Sequence, residues 1–286
     1  MAFIGKPLTV MAIGIGEAWR LASQRIDRLD ARLLVEHVAG CAHADLIARP
    51  ERLLSAEQLA TLAALIDRRA AGEPLAYLIG SAAFYGLEFA VTPAVLIPRP
   101  DTELLVDLAI ERLRSMPTAQ VLDLGTGSGI LAVTLGHLFP SAALTAVDRS
   151  PAALAVASAN AARHAVAVRF LAGCWYSPLA GTRFDLIVAN PPYVAHGDPH
   201  LRRDGLPFEP AMALTDGLAG GDGLACIRAI VGGARAHLRP RGWLLLEHGY
   251  RQAAAVRALL NREGLAEVAS WHDLSKIERV SGGRLH

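Results

Sequence analysis

The chain has 286 residues, a formal net charge of +1, and 52% hydrophobic against 19% charged residues. This length allows a domain of roughly 200 residues with a smaller second one, and this composition excludes a disordered chain. A net charge near zero argues against the large basic surface typical of nucleic-acid binders. Three widely spaced cysteines predict neither a disulfide framework nor a metal site, so we expect a reducing, cytoplasmic setting. No apolar run reaches the roughly 20 residues of a membrane span.

Residues 1–82 are predicted to form a small helical domain. Thr9 is a candidate cap for a helix that runs to about Ser23, and Ser55 followed by Gln58 is typical of a helix start. Apolar residues recur at the three- and four-residue spacing of one helical face. They are Leu29, Leu33, Leu34, Val38, Leu53, Leu59, Leu62, Leu65 and Ile66.

Residues 83–100 are predicted to form a β-hairpin that links two domains. The run 84–91 is aromatic and β-branched around Gly86, and 95–97 is a second apolar run that follows a proline. We therefore expect a hairpin that ends at Pro98-Arg99-Pro100.

Residues 101–286 alternate predicted helices and strands. Buried strands are expected at 121–124, 144–148, 168–171, 184–189 and 243–247, with helices at 102–114, 130–139, 151–164, 224–238 and from Gln252. Such alternation predicts an α/β fold, a parallel sheet with helices on both faces. The segment near Glu278 is expected to add edge strands.

The turn after the first of these strands is rich in glycine and is the first candidate ligand site. Gly125, Gly127 and Gly129 alternate with Thr126 and Ser128, which lets the backbone approach a ligand closely. The dinucleotide fingerprint has a glycine one position later, where this chain has an isoleucine. The turn therefore favours S-adenosylmethionine over a dinucleotide, an ordinary strand-to-helix turn being the alternative.

An acidic residue, Asp148, ends the second strand about 20 residues after the glycine turn, where a carboxylate can bind ribose hydroxyls. Its alternative role is a helix cap, which Ser150 serves better. Such a carboxylate suits a dinucleotide and a methyl donor equally.

The tetrapeptide Asn190-Pro191-Pro192-Tyr193 ends the fourth strand and carries the chemistry. The Asn190 oxygen and the Pro191 carbonyl can accept both N–H groups of an amide or amine, which fixes its plane toward a methyl donor. Tyr193 can stack on that planar group and exclude water. Positioning would then supply most of the rate, and the motif favours methylation of a planar nitrogen over a plain turn.

Other candidate residues carry weaker signals. Trp175 can flank an adenine or lie in the core, and a structural role is favoured for Glu247 and His248 over an acid–base pair. Arg99, Asp101 and Glu103 can form a charged rim or solvate a helix start. The ten histidines show no metal-ligand spacing, so no metal is expected.

Together these segments resemble the HemK/PrmC family of protein-(glutamine) methyltransferases, which act on the GGQ loop of peptide-chain release factors. The resemblance spans nearly the whole chain and rests on seven stretches. They are 29–34 (LDARLL), 84–89 (FYGLEF), 97–103 (IPRPDTE), 125–129 (GTGSG), 190–193 (NPPY), 208–210 (FEP) and 246–249 (LEHG).

The resemblance implies a class I, Rossmann-like S-adenosylmethionine-dependent methyltransferase domain and a five-helix N-terminal domain that helps bind the release factor. It implies that residues 125–129 (Gly125, Thr126, Gly127, Ser128 and Gly129), Asp148, Trp175 and Asn190 contact the methyl donor. It also implies that residues 190–193 hold the glutamine. Cys174 departs from the polar residue of many relatives, which puts an adenine-edge contact in doubt, and Gly14 and Gly16 interrupt the first helix.

Two other acceptors stay open on these residues. Exocyclic amines of nucleic-acid bases also suit the 190–193 motif, although the charge and the helical domain argue against direct nucleic-acid binding. A sibling family methylates a glutamine of a ribosomal protein, but the 97–103 stretch resembles the release-factor branch. A binder of release factors without catalysis is a third, weaker reading.

Overall fold

The computed structural model describes residues 13–203 and 205–286, and the chain divides into two compact units, Met1–Ile79 and Gly80–His286. The described part of the first unit is helical, and the second unit surrounds a seven-stranded sheet. No helix in the described ranges is long and apolar enough to span a membrane.

The first unit packs short helices around an apolar core. The helices are α1 (Ile15–Ala22), α2 (Arg28–Ala39), α3 (His43–Ala48), α4 (Ala56–Ala70) and α5 (Leu75–Ile79). The predicted start of α4 is confirmed, because the Ser55 hydroxyl accepts from the Gln58 backbone N–H at 3.1 Å and the Gln58 side chain accepts from the Ser55 N–H at 2.9 Å.

The predicted apolar face of this unit is confirmed only in part. Leu34, Leu62 and Ile66 are buried, whereas Leu29 and Leu53 are 52% and 61% exposed. Leu29 lies in the first turn of α2 but outside its buried face, and Leu53 lies between helices. The predicted cap Thr9 lies outside the described residues.

A two-stranded antiparallel hairpin opens the second unit. Its strands are β1 (Ser81–Phe84) and β2 (Leu87–Ala90), joined at Tyr85 and Gly86. The prediction that 95–97 belongs to the hairpin is wrong, since that segment is irregular and follows a turn. The Asn160 side chain holds the hairpin, accepting from the Ala90 N–H at 2.7 Å and donating to the Ala90 carbonyl at 3.0 Å.

The large sheet has the order β5-β4-β3-β6-β7-β9-β8. Its strands are β3 (Gln120–Leu124), β4 (Ala143–Asp148), β5 (Val168–Ala172), β6 (Phe184–Ala189), β7 (Leu238–Glu247), β8 (Ala266–His272) and β9 (Glu278–Arg284). Helices α6 (Glu103–Leu113), α7 (Ile130–Leu138), α8 (Pro151–Arg163), α9 (Ala211–Leu214), α10 (Ala225–His237) and α11 (Ala253–Arg262) complete the unit. Strands β3 to β7 are parallel, as predicted.

The other end of the sheet corrects the prediction of edge strands. Strand β9 pairs antiparallel with both β7 and β8, so it lies inside the sheet and β8 forms the edge. The sheet is therefore mixed rather than purely parallel. Two glycines, Gly282 and Gly283, interrupt the apolar pattern of β9 and weaken its sequence signal.

Alternate strand residues pack into two different cores. Val121 and Val188 belong to the cluster that contains α6 and α7, while Leu122 and Ile187 belong to the cluster that contains α10 and α11. Burial on both faces explains why these strands read as continuous apolar runs. The strand order reverses between β3 and β6, where open α/β sheets bind their ligands at the carboxyl ends of the strands.

Candidate active site

Four neighbouring strands end in the same row. Leu124 at the end of β3 is in register with Val147 of β4 and with Ala189 of β6, and Ala189 is in register with Leu246 of β7. The next residue of each strand carries a candidate function, and neighbouring strands are about 4.8 Å apart. These residues are Gly125, Asp148, Asn190 and Glu247.

A cavity lies above this row and contains about 1100 Å³ of empty space, part of it open to solvent. Its walls include residues 125–128, Asp148, Trp175, Asn190 and Pro192. Sequence reasoning placed these residues in the site. Residues 94–96, Met212, Ala213, Thr215 and Asp216 also line the cavity and were not predicted, because no ligand-binding motif marks them in the sequence.

The three predicted glycines all adopt a left-handed backbone, with φ of 76° at Gly125, 54° at Gly127 and 85° at Gly129. Side chains rarely adopt these angles. A Cβ on Gly129 would also lie 3.1 Å from the Ala157 Cβ, and one on Gly125 would lie 3.3 Å from the Trp175 ring. Nothing lies within 4 Å of a Cβ on Gly127, which lines the cavity.

Thr126 and Asp123 hold the glycine turn from below. Asp123 is fully buried, and its Oδ2 accepts from the Thr126 hydroxyl at 2.6 Å and from the Ala132 N–H at 3.2 Å. Its Oδ1 has no hydrogen-bond partner. Burial raises the pKa of Asp123 to about 7, against the lowering effect of the two hydrogen bonds.

Asp148 lies beside the turn, as predicted, and lines the cavity. Its Oδ2 accepts from the Gly127 N–H at 2.9 Å, and its Oδ1 accepts from the Ser150 N–H at 2.9 Å. Ser150 is the residue that caps α8, since its hydroxyl accepts from the Ala153 N–H at 3.2 Å. A carboxylate has about four acceptor sites, so Asp148 keeps capacity for a ligand hydroxyl.

Trp175 forms a wall of the cavity and also packs against a core cluster, so its position is compatible with either of its predicted roles. Its backbone has a φ of 51°, uncommon for an aromatic residue. Cys174, the departure from the family pattern, is exposed and lines the same cavity, and so does the half-buried Cys226.

The 190–193 segment leaves β6 as an irregular turn with fixed surroundings. Asn190 and Pro192 line the cavity, Pro191 is buried, and Tyr193 is partly buried against a core cluster. The Gln252 side chain donates to the Tyr193 carbonyl at 2.9 Å. The motif thus reaches the cavity at the same row as the glycine turn.

Two buried residues reach this motif from distant parts of the sequence. The Asn190 Nδ2 donates to the Thr102 hydroxyl at 3.0 Å, which donates to the Glu247 carboxylate at 2.7 Å. The Tyr193 hydroxyl donates to the other Glu247 oxygen at 3.0 Å. His248 bonds instead to Ser281 at 2.8 Å, so Glu247 and His248 do not form an acid–base pair with each other.

Of the two roles predicted for Arg99, Asp101 and Glu103, the shared charged rim is wrong, because only Arg99 lines the cavity. Asp101 and Glu103 lie in the first turns of a helix start, as the other prediction has it. Arg99 lines the cavity and pairs with Glu209, whose other oxygen accepts from the Ile97 N–H at 3.0 Å. Asp101 pairs with an arginine, Arg279, at 3.3 Å. Glu103 accepts from the Tyr85 N–H at 2.8 Å and so holds the hairpin.

This arrangement suits an S-adenosyl group better than a metal. The turn offers backbone close to the ligand, Asp148 offers an acceptor for hydroxyls, and Trp175 offers an aromatic face. Among the described residues no group of three His, Cys, Asp or Glu side chains is placed to hold a metal ion.

Two family models match the chain. The PrmC N-terminal domain matches residues 18–80, and the methyltransferase small domain matches residues 101–203. Among solved structures, a 16S rRNA methyltransferase from T. thermophilus, bound to AdoMet and guanosine, has a TM-score of 0.54 at 22% identity, covering 72% of this chain and 50% of its own. A methyltransferase from Pyrococcus furiosus has a TM-score of 0.52 at 16% identity, covering 76% and 96%. These likenesses show the class I methyltransferase fold.

Curated relatives are far more similar. The release factor glutamine methyltransferase of Burkholderia pseudomallei is 51% identical, covering 93% of this chain and 94% of its own. The enzyme of Bordetella pertussis is 51% identical, covering 93% of this chain and 97% of its own. The enzyme of Escherichia coli is 42% identical, covering 93% of this chain and 95% of its own. On this similarity and fold, the chain is an S-adenosylmethionine-dependent methyltransferase that belongs to the release factor glutamine methyltransferase family.

Proposed function

We propose that this protein transfers the methyl group of S-adenosylmethionine to the side-chain amide nitrogen of the glutamine in the GGQ motif of peptide-chain release factors. The observation that carries the proposal is the placement of Asn190 beside the glycine turn, on the adjacent strand and in the same row. The near full-length similarity to enzymes of that name supports the choice of acceptor.

On the donor side, residues 125–129 would hold the methyl donor through their backbone. Asp148 would accept hydrogen bonds from the ribose hydroxyls, and Trp175 would flank the adenine. The left-handed glycines support this role because they leave the cavity floor without side chains. When bound, S-adenosylmethionine supplies an electrophilic methyl group on a sulfonium sulfur.

On the acceptor side, the Asn190 oxygen and the Pro191 carbonyl would accept the two N–H groups of the glutamine amide. An amide nitrogen is a poor nucleophile because its lone pair is delocalised. Two acceptors would fix the plane of the amide and stabilise the positive charge that the nitrogen gains as it is alkylated. Pro192 and Tyr193 would complete the pocket, with the Tyr193 ring stacked on the planar group.

The proposal extends to the cellular setting and to the partner. The release factor, with its GGQ loop, would be the protein substrate in the cytoplasm, and the N-terminal helical domain would help to bind it. Domain limits of 1–82, 83–100 and 101–286 are part of the same proposal. Nucleic acid is not expected as a direct ligand, because the net charge is only +1.

The test is methyl transfer from labelled S-adenosylmethionine to separate substrates. A purified release factor, the same factor with its GGQ glutamine replaced by glutamate, a ribosomal-protein fraction and total RNA or DNA are each incubated with the enzyme. We expect label only in the intact release factor, and mass spectrometry should place one added methyl group on its GGQ peptide. Label confined to nucleic acid or to ribosomal protein would refute the proposal.

A further inference from the structure

A buried hydrogen-bond network joins the acceptor motif to two residues whose roles are not explained by the reaction itself. Thr102 lies 88 positions before Asn190, and Glu247 lies 54 positions after Tyr193. Thr102 and Glu247 are 0% and 1% exposed. Burying a polar group costs free energy unless the group is hydrogen-bonded. A hydrogen-bonded network buried beside the acceptor motif therefore indicates a functional role.

Counting hydrogens gives the network a direction. When Glu247 is ionised, its carboxylate can only accept, and a threonine hydroxyl has one hydrogen, which Thr102 donates to Glu247 at 2.7 Å. The lone pairs that remain on the Thr102 oxygen can only accept, so the group that faces them must be the Asn190 NH₂. The Asn190 oxygen is therefore the opposite end of the amide.

This direction matters because the two ends of an asparagine amide are nearly the same in shape, and hydrogen bonds alone decide between them. An Asn190 rotated by half a turn would offer N–H groups to the N–H groups of the acceptor. That arrangement would lose one of the two acceptors on which positioning depends.

We propose that Thr102 and Glu247 are positioning residues for methyl transfer, which fix the Asn190 amide with its oxygen toward the acceptor nitrogen. The proposal rests on the proposed function, since it assumes that Asn190 accepts from the substrate. Glu247 also holds the Tyr193 hydroxyl, so one carboxylate orients both polar side chains of the motif.

The backbone of the motif is fixed independently, which isolates the Asn190 amide as the group that needs orientation. Gln252 donates to the Tyr193 carbonyl, and a Cβ on Gly223 would lie 2.3 Å from the same oxygen. Pro191 and Pro192 also restrict φ. What these contacts leave open is the choice between the two ends of the amide.

The test compares Thr102→Val, which removes the hydroxyl at nearly the same volume, with Thr102→Ser, which keeps it. Burial raises the pKa of Glu247 to about 7, while the charges of Asp101 and Arg279 act on it in opposite directions. Rates are therefore measured at about pH 8.5, where the carboxylate is ionised. We expect Thr102→Val to lower kcat on the release factor about 30-fold, because a misplaced catalytic group can cost up to about 100-fold. KM and the Kd for S-adenosylmethionine should change less than about threefold, and Thr102→Ser should stay within about threefold of wild type.

Equal kcat values for the two variants would overturn the proposal, and so would a loss in Thr102→Val that appears only in KM or in donor binding. If Thr102→Val does not fold, wild-type NMR decides. The Asn190 side-chain NH₂ signal, identified by its absence in Asn190→Ala, should show a nuclear Overhauser effect to the Thr102 methyl group. Absence of that effect would reject the assigned orientation. A wild type that fails to methylate release factor would instead refute the proposed function.

Discussion

The glycine turn and the Asn190–Tyr193 segment leave adjacent strands in the same row, yet they are shaped in opposite ways. The conformation of the turn is set chiefly by three left-handed glycines within five positions of one another, to which Asp148 and Asn160 add hydrogen bonds. The second segment depends on side chains from Thr102 and Glu247, which are 145 positions apart. The glycine turn can therefore be recognised from a short stretch of sequence. The residues that orient the Asn190 amide become evident only in the folded chain.

Replacing Asn190 by alanine tests the side-chain half of this comparison and should have the largest effect. We expect kcat on release factor to fall by at least about 100-fold, the usual cost of losing one preorganised polar contact to the reacting group. Circular dichroism should change little, because the fold does not depend on this side chain. The exposed Asn261→Ala is the matched control and should keep full activity. Full activity in Asn190→Ala would contradict the assigned role.

Glycine substitutions test the backbone half. Gly129→Ala meets both an unfavourable φ and the Ala157 side chain, so we expect it to lower the free energy of unfolding by about 2–3 kcal/mol. Gly127→Ala meets only the φ strain and should cost about 1 kcal/mol. Both should weaken S-adenosylmethionine binding in calorimetry. If the two alanines were equally destabilising, the packing difference between these glycines would be disproved.

The cavity wall at 94–99 is held by a long-range ion pair, and its loss should have a moderate effect. The Glu209 side chain is 1% exposed and binds both Arg99 and the Ile97 N–H. We expect Glu209→Gln to lower the free energy of unfolding by about 2 kcal/mol. This loss is smaller than that from breaking a fully buried ion pair, because Arg99 is partly exposed. In the exposed pair of Glu88 with Arg163, Glu88→Gln should cost under about 1 kcal/mol. Urea denaturation of both variants checks this order.

A further prediction concerns the pH dependence of stability. Burial raises the pKa of Asp123 to about 7, above its value of 3.8 in an unfolded chain. Protonation is therefore favoured by folding, and the contribution of Asp123 to stability is complete below about pH 4 and lost as pH rises through 7. Relative to Asp123→Asn, wild type should lose free energy of unfolding between about pH 5 and pH 8. Parallel pH profiles for the two proteins would contradict the raised pKa.

Residues whose positions depend on local contacts could be predicted from the sequence, whereas residues linked by distant contacts could not. Asp148 and the three glycines were placed correctly because strand ends and left-handed turns are encoded within a few residues. Thr102 was read only as part of a helix start and Glu247 as structural, since a hydrogen bond across 145 positions leaves no local pattern. A shared rim of Arg99, Asp101 and Glu103, one of the two roles predicted for them, was wrong for a related reason, since these neighbours in sequence pair with residues on different elements.

The segment 95–97, wrongly predicted as part of the hairpin, shows the limit of apolar patterns. Residues 95–97 are apolar, like a strand, but Val95 is buried in a bend and Leu96 lines the cavity. An apolar run of this length indicates that a segment is buried, but it does not distinguish a strand from a cavity wall.

Asn160 has a dynamic consequence. Its amide donates to the Ser128 carbonyl at 2.8 Å while both its ends are bonded to Ala90, so one fully buried side chain connects the hairpin to the glycine turn. Each segment must break its bonds to Asn160 in order to open, and we expect the two to exchange with solvent as a single cooperative unit. The hydrogen-exchange rate of the Ala90 amide would then report the opening of a turn more than 30 positions away.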